Sequence, residues 1–164
     1  MSLVSKALGR TAYRARQVLQ SWRSPLGEEE LAEARCLLGP LFPLFEGMSR
    51  RDQRHCLDVY HRLRAWGVDD GHLLMAALLH DVGKGRDVRL WHRVAFVVLQ
   101  NVAPALLARA KGGLASLRDH PRLGADLLRA HGAPEPVVYL VLHHEDGQQG
   151  DAALALLQKS DDSC

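Results

Sequence analysis

The sequence predicts an all-α protein, and three observations predict it. Apolar residues recur at three- and four-residue spacing in almost every long segment. No run of alternating, β-branched residues bounded by turn signals is present. The interruptions are glycines and prolines, placed where helices of ordinary length would end.

In chain order, a first helix is expected over residues 3–22, with apolar spacing at Leu3, Leu8 and Val18, ending before Pro25 and Gly27. A second begins at the acidic turn "GEEE", whose charges suit a helix N-terminus, and runs to Gly39. "PLFPLFEGM" forms a short turn or helix that plugs the core with Phe42 and Phe45. Ser49 caps the next helix, with Asp52 in the capping-box position, and Gly67 closes it after Trp66. Asp70 opens an apolar helix that ends in "LLHDVGKG". The segment "RLWHRVAFVVLQNVAPALLARA" is very apolar between Val94 and Ala108, yet Gln100, Asn101 and Pro104 interrupt it too soon for a membrane span. The expectation for this insertion, residues 88–112, is a core or dimer-forming hairpin in preference to an interfacial membrane contact. Beyond Gly112 and Gly113, helices are expected near 118–131, 135–144 and 151–160.

These boundaries divide the chain into an N-terminal helical segment, residues 1–48, and a helical domain, residues 49–164. At 164 residues the two are expected to form one structural domain with a sizeable core. The formal charge of +2 gives no ground for a nucleic-acid partner. Cys36, Cys56 and Cys164 form no CxxC pair and follow no signal peptide, so the expected compartment is a reducing cytoplasm. The N-terminal segment carries Lys6, Arg10, Arg14, Arg16 and Arg23 with no acidic residue. Such a basic amphipathic pattern fits a solvated helix face, an anionic membrane or a partner.

The histidines carry the chemistry. His55 lies one turn before Val59 and two before Leu63, on the apolar face of its helix; His80 and Asp81 end the apolar helix; His120 opens "HPRLGADLL"; His143 and His144 end "VVYLVLHH"; Asp161 follows "ALALLQKS". One such histidine is an ordinary core residue, but seven polar groups on five apolar helices need a common partner. Each would otherwise cost about 1–3 kcal/mol if buried unpaired. A divalent cation is such a partner, and Asp81 has two oxygens with which to bridge two ions. Two bridged metals generate a hydroxide and clamp a phosphoryl oxygen.

The order His55, then HDxGK at His80–Lys84, HPxxG at His120–Gly124, HHE at His143–Glu145 and a final Asp resembles the HD superfamily of metal-dependent phosphohydrolases. The resemblance implies a helical bundle, with the basic N-terminal helix and the apolar insertion as additions to it. It implies a first metal on His55, His80, Asp81 and Asp161, with Asp162 as the alternative last ligand. A second metal would be held by Asp81, His120, His143 and His144. Lys84 would set an ammonium against the scissile phosphate, making Asp81 and Lys84 the catalytic pair. Mixed imidazole and carboxylate ligands suit Mn, Fe, Ni, Co or Zn. The implied substrate is a nucleotide, cyclic nucleotide or dinucleotide. The HPxxG and HHE elements are similar to those of cyclic-dinucleotide phosphodiesterases, but their GYP motif is missing, and Arg51 stands where some of them have an acidic ligand. Small HD hydrolases of diadenosine tetraphosphate share the pattern equally well. Alternatives are an HD-fold di-iron oxygenase and a non-catalytic metal-dependent regulatory module. Arg86, Arg89, Arg118 and Arg122 are candidate phosphate contacts by sequence proximity, and Asp58 and Glu145 are candidates to orient the imidazoles.

Overall fold

A computed structural model describes residues 26–85, 88, 90–146 and 150–164. The helix expected over 3–22 and the candidates Arg86 and Arg89 lie outside the described residues. The described helices are α1 (Glu28–Leu38), α2 (Phe42–Glu46), α3 (Arg50–Ala65), α4 (Gly71–Leu79), α5 (Leu90–Val102), α6 (Pro104–Ala108), α7 (Gly113–Ala130), α8 (Glu135–His143) and α9 (Ala152–Asp161). Short 3₁₀ turns at Gly39–Leu41 and Val82–Lys84 join α1 to α2 and follow α4. No strand occurs among the described residues, so the protein is all-α.

Capping chemistry explains where the helices start and stop. At α1, the Gly27 N–H donates to Glu30 Oε2 at 2.9 Å. At α3, Ser49 Oγ accepts from the Asp52 N–H at 3.2 Å and donates to Asp52 Oδ2 at 2.6 Å. The end of α3 is a Schellman turn: Gly67, at φ 81°, lets the Val68 N–H reach the Leu63 carbonyl at 3.1 Å. Asp70 caps α4 through the N–H groups of His72 and Leu73, and Asp151 caps α9 through those of Ala153 and Leu154.

One core unites these elements. Phe42 and Phe45 are buried in it with Ala34 and Leu38 of α1, so these residues of α1 and α2 share the interior of the helices that follow. Leu57, Leu63, Leu78, Leu79, Leu128 and Leu154 fill its centre. A buried hydrogen bond from Ser160 Oγ to the Val59 carbonyl, 3.0 Å, ties α9 to α3.

Two sequence expectations need correcting. Helix α7 begins at Gly113, not near 118, because only Gly112 breaks the chain, at φ 61°. Gly113 is helical and lies against the His92 ring, where an added Cβ would sit 2.7 Å from three ring atoms. The apolar insertion is not a core hairpin. Helix α5 packs one side on α7 and turns Trp91, Val94, Val98 and Val102 outward, while Leu107 of α6 is buried.

Candidate metal centre

The site is built by helix ends. His80 caps α4 at its C-terminus and His144 caps α8 at its C-terminus, where carbonyls run out of intrahelical donors. His80 Nδ1 lies 2.9 Å from the Ala77 carbonyl and His144 Nδ1 2.7 Å from that of Val141. His120 is inside α7, where such a carbonyl should be taken. Pro121 frees it: with no N–H, Pro121 cannot bond the Leu117 carbonyl four residues back, and His120 Nδ1 takes that place at 2.8 Å. The proline of HPxxG therefore serves the histidine before it.

A carbonyl oxygen only accepts, so each Nδ1 donates a proton to its carbonyl, and Nε2 is the ring atom left to offer a lone pair to a cation. The Nε2 atoms converge. His120 Nε2 and His144 Nε2 are 3.2 Å apart, and His120 Nε2 is 3.5 Å from Asp81 Oδ1. His80 Nε2 is 3.5 Å from the same Asp81 oxygen. His55, half-buried on α3 rather than fully on its inner face, sets Nε2 4.0 Å from Asp81 Oδ2 and 2.7 Å from Asp161 Oδ1, which is in turn 3.7 Å from His80 Nε2. Donor atoms of His55, His80 and Asp81 lie within 4.8 Å of one another, as do those of Asp81, His120 and His144. Asp81 belongs to both groups.

The electrostatics follow from this crowding. Burial, and then the Lys84 ammonium, push His120 down to about 3; burial and His80 push His144 down to about 4. Burial opposes charging Asp81, but Lys84, His80 and His55 outweigh it and hold the carboxyl well below its usual range. Burial likewise opposes Asp161, which the hydrogen bond from His55 and the charge on His80 bring to about 2. Near neutral pH, then, His120 and His144 are neutral and face each other with two lone pairs and no proton between them. Buried His80 Nε2 and Asp81 Oδ2 also have no hydrogen-bond partner. Unpartnered polar atoms at this density are costly, and a divalent cation would satisfy them together. The His/Asp donor set fits a divalent cation.

Lys84 reaches back from the 3₁₀ turn to place Nζ 2.6 Å from Asp81 Oδ1. That turn lies against α7 because Gly83 has no side chain: a Cβ there would sit 2.1 Å from the His120 carbonyl oxygen.

The other candidates belong to neither donor group. His143 pairs through Nδ1 with Asp146 at 2.7 Å and packs on Tyr139, outside both donor groups. Asp162 is exposed beyond the end of α9. Arg118 is occupied by Asp119 and by the carbonyls of Leu107 and Ala108, and exposed Arg122 pairs with Asp126 at 3.4 Å. Asp58 pairs with Arg54 at 2.8 Å. Glu145 approaches His120 Nε2 to 3.6 Å. Sequence reasoning passed over Arg93, whose Nη2 is 2.6 Å from Asp52 Oδ1, and saw Arg51 only as a missing acid. Burial and the charge of Arg93 lower Arg51 to about 10, and Asp81 acts on it in the opposite sense. The available signal was helical spacing: Arg51 stands four residues before His55, on the same face of α3.

The fold and the site together define a class, a helical protein with buried His/Asp clusters suited to divalent cations. Residues 53–163 match the HD domain family, and the chain belongs to it. HD domains are commonly metal-dependent hydrolases. Comparison with curated proteins and with solved structures gave no match. Among the described residues, no helix is long and apolar enough to cross a membrane.

Proposed function

We propose that the chain is a metal-dependent phosphohydrolase acting on a nucleotide, cyclic nucleotide or dinucleotide through a dinuclear centre. The observation that carries this reading is the sharing of Asp81 between two donor groups, with the Lys84 ammonium 2.6 Å from the shared carboxylate. His55, His80, Asp81 and Asp161 would hold one cation and Asp81, His120 and His144 the other. When bound, such ions would supply Lewis acidity and the activation of a water towards phosphorus.

The chain's own groups do the rest. Asp81 stays ionised throughout the neutral range and cannot protonate away from the centre. The carbonyls of Ala77, Leu117 and Val141 hold three imidazoles in one orientation, with Nε2 turned towards the centre before a cation arrives. Lys84, raised by Asp81 against the effect of burial, remains a cation and can transfer its contact from Asp81 to a phosphate oxygen as charge develops there. Arg93 acts on Lys84 and Arg51 is acted on by Asp81, so both add positive charge near the carboxylate, which would favour a substrate phosphate.

The test is hydrolysis by protein reconstituted separately with Mn, Fe(II), Co, Ni and Zn, against nucleotides, cyclic dinucleotides and diadenosine polyphosphates. Turnover should vanish in Asp81→Ala. Lys84→Ala should retain metal and lose about 10²-fold or more in kcat. Oxygen consumption dependent on ferrous iron, without phosphate release, would replace this reading with an oxygenase.

A further inference from the structure

The outward face of α5 and α6 has no role in the metal centre. Trp91, Val94, Val98, Val102 and Leu106 are between 53 and 78% exposed. The four on α5 fall within about 80° of the helix circumference at 100° per residue, so they form one stripe. The opposite side is held firmly. His92 abuts Gly113 of α7, Arg93 is paired with Asp52 of α3, and Arg118 of α7 bonds the α6 carbonyls of Leu107 and Ala108. The stripe is thus presented by a braced element.

Charge identifies what covers it. From residue 88 to residue 118 there is no Asp or Glu, while Arg109 and Lys111 are exposed just past the apolar stripe. The N-terminal residues 1–25 likewise carry five basic residues and no acidic one. A second copy docked by the same face would bring two basic surfaces together with no acid to neutralise them. Five residues also fall well short of the roughly 20–30 a side of a stable protein interface. The N-terminal segment, basic itself, suits this face no better. An apolar stripe with an aromatic ring at one end and bordering cations is the pattern of a helix lying in the interface of a negatively charged bilayer.

We propose that the α5–α6 face docks on an anionic lipid bilayer, with Trp91, Val94, Val98, Val102 and Leu106 entering the headgroup boundary and Arg109 and Lys111 meeting the lipid charge. The contact is peripheral and goes beyond the phosphohydrolase reading.

The experiment is co-sedimentation of the full chain with vesicles of phosphatidylcholine alone or with 30% phosphatidylglycerol. Binding should need the anionic lipid and weaken with salt. Val94→Ser/Val98→Ser and Arg109→Ala/Lys111→Ala should each weaken it roughly 10- to 30-fold, with circular dichroism unchanged because all four positions are exposed. Independently, in a Trp22→Phe/Trp66→Phe background, Trp91 emission should shift to the blue with anionic vesicles only. The proposal is overturned by no binding to anionic vesicles, by binding that both double variants retain, or by an unshifted Trp91. A concentration-dependent dimer that Val94→Ser/Val98→Ser dissolves would overturn it in favour of a second copy.

Discussion

Gly83→Ala tests whether the HDxGK turn sets the spacing of the two donor groups. The new Cβ would sit 2.1 Å from the His120 carbonyl oxygen and 2.5 Å from the Gly124 backbone nitrogen. Both obstacles are backbone, so no side chain can swing aside. A carbon and a carbonyl oxygen settle at about 3.3 Å, which asks the turn to retreat from α7 by about 1.2 Å. His120 Nε2 and Asp81 Oδ1 stand 3.5 Å apart across that same junction. If the retreat is passed on in full, they separate to about 4.7 Å, beyond the roughly 4.2 Å that two ligands at about 2.1 Å from one ion can span. Overpacking of this kind costs about 1–3 kcal/mol, or about 2–12 °C in Tm for a chain of this size. The expected result is a lowered Tm and one bound metal per chain instead of two, read by calorimetry and elemental analysis. Gly71→Ala is the control: nothing lies within 4 Å of a Cβ there, so stability should hold or rise by up to about 1 kcal/mol. A Gly83→Ala protein with unchanged Tm and two metals would refute the reasoning.

Three further outcomes follow. Pro121→Ala returns an N–H that competes with His120 for the Leu117 carbonyl, so metal affinity of the His120 group should fall about 10-fold or more while helicity is kept or improved; unchanged affinity in titration calorimetry would count against the assigned role of the proline. Saturating divalent metal at about 100 times its Kd should add about 2.7 kcal/mol to stability; a chelator should reverse the rise in Tm and Asp81→Ala abolish it, and a rise that survives in Asp81→Ala would place the metal elsewhere. Arg54 holds Glu30 down at about 2 from the usual 4.5, a depressed value that stabilises the folded chain above pH 4.5 and is lost as pH falls towards 2. Discounted for the partial exposure of Glu30, Glu30→Gln should cost about 1–2 kcal/mol in denaturant melts at pH 7 and almost nothing near pH 2; a loss independent of pH would mean packing rather than charge.

The helical architecture was legible because its signals are local. Ser49 and Asp70 act within three residues of themselves, and Gly67 adopts the positive φ that marks the end of α3. The outward turn of α5 was not legible. An apolar stripe at helical spacing reads the same whether it faces a core, a partner or a bilayer, and only the packing of α5 on α7 decides which side is left over.

The metal centre shows the same division at finer scale. Neighbours in sequence on a helix point about 100° apart, so proximity to His120 said nothing about where Arg118 and Arg122 would reach. Both are spent on nearby carboxylates and carbonyls. Lys84 differs because a 3₁₀ turn, not an α-helix, follows Asp81, and three residues bring the ammonium back over the carboxylate. The ambiguity of the paired histidines was resolvable by the same arithmetic. Val137, Leu140 and Val141 are buried, and residues seven, four and three positions on from them coincide at His144, leaving His143 to the side where Asp146 meets it. What the sequence could not supply is the lone-pair geometry. The motifs name the imidazoles, but only the carbonyls of Ala77, Leu117 and Val141 turn each ring so that Nε2 faces inward. A set of histidines becomes a candidate cation site through those three backbone acceptors, two provided by helix ends and one by a proline.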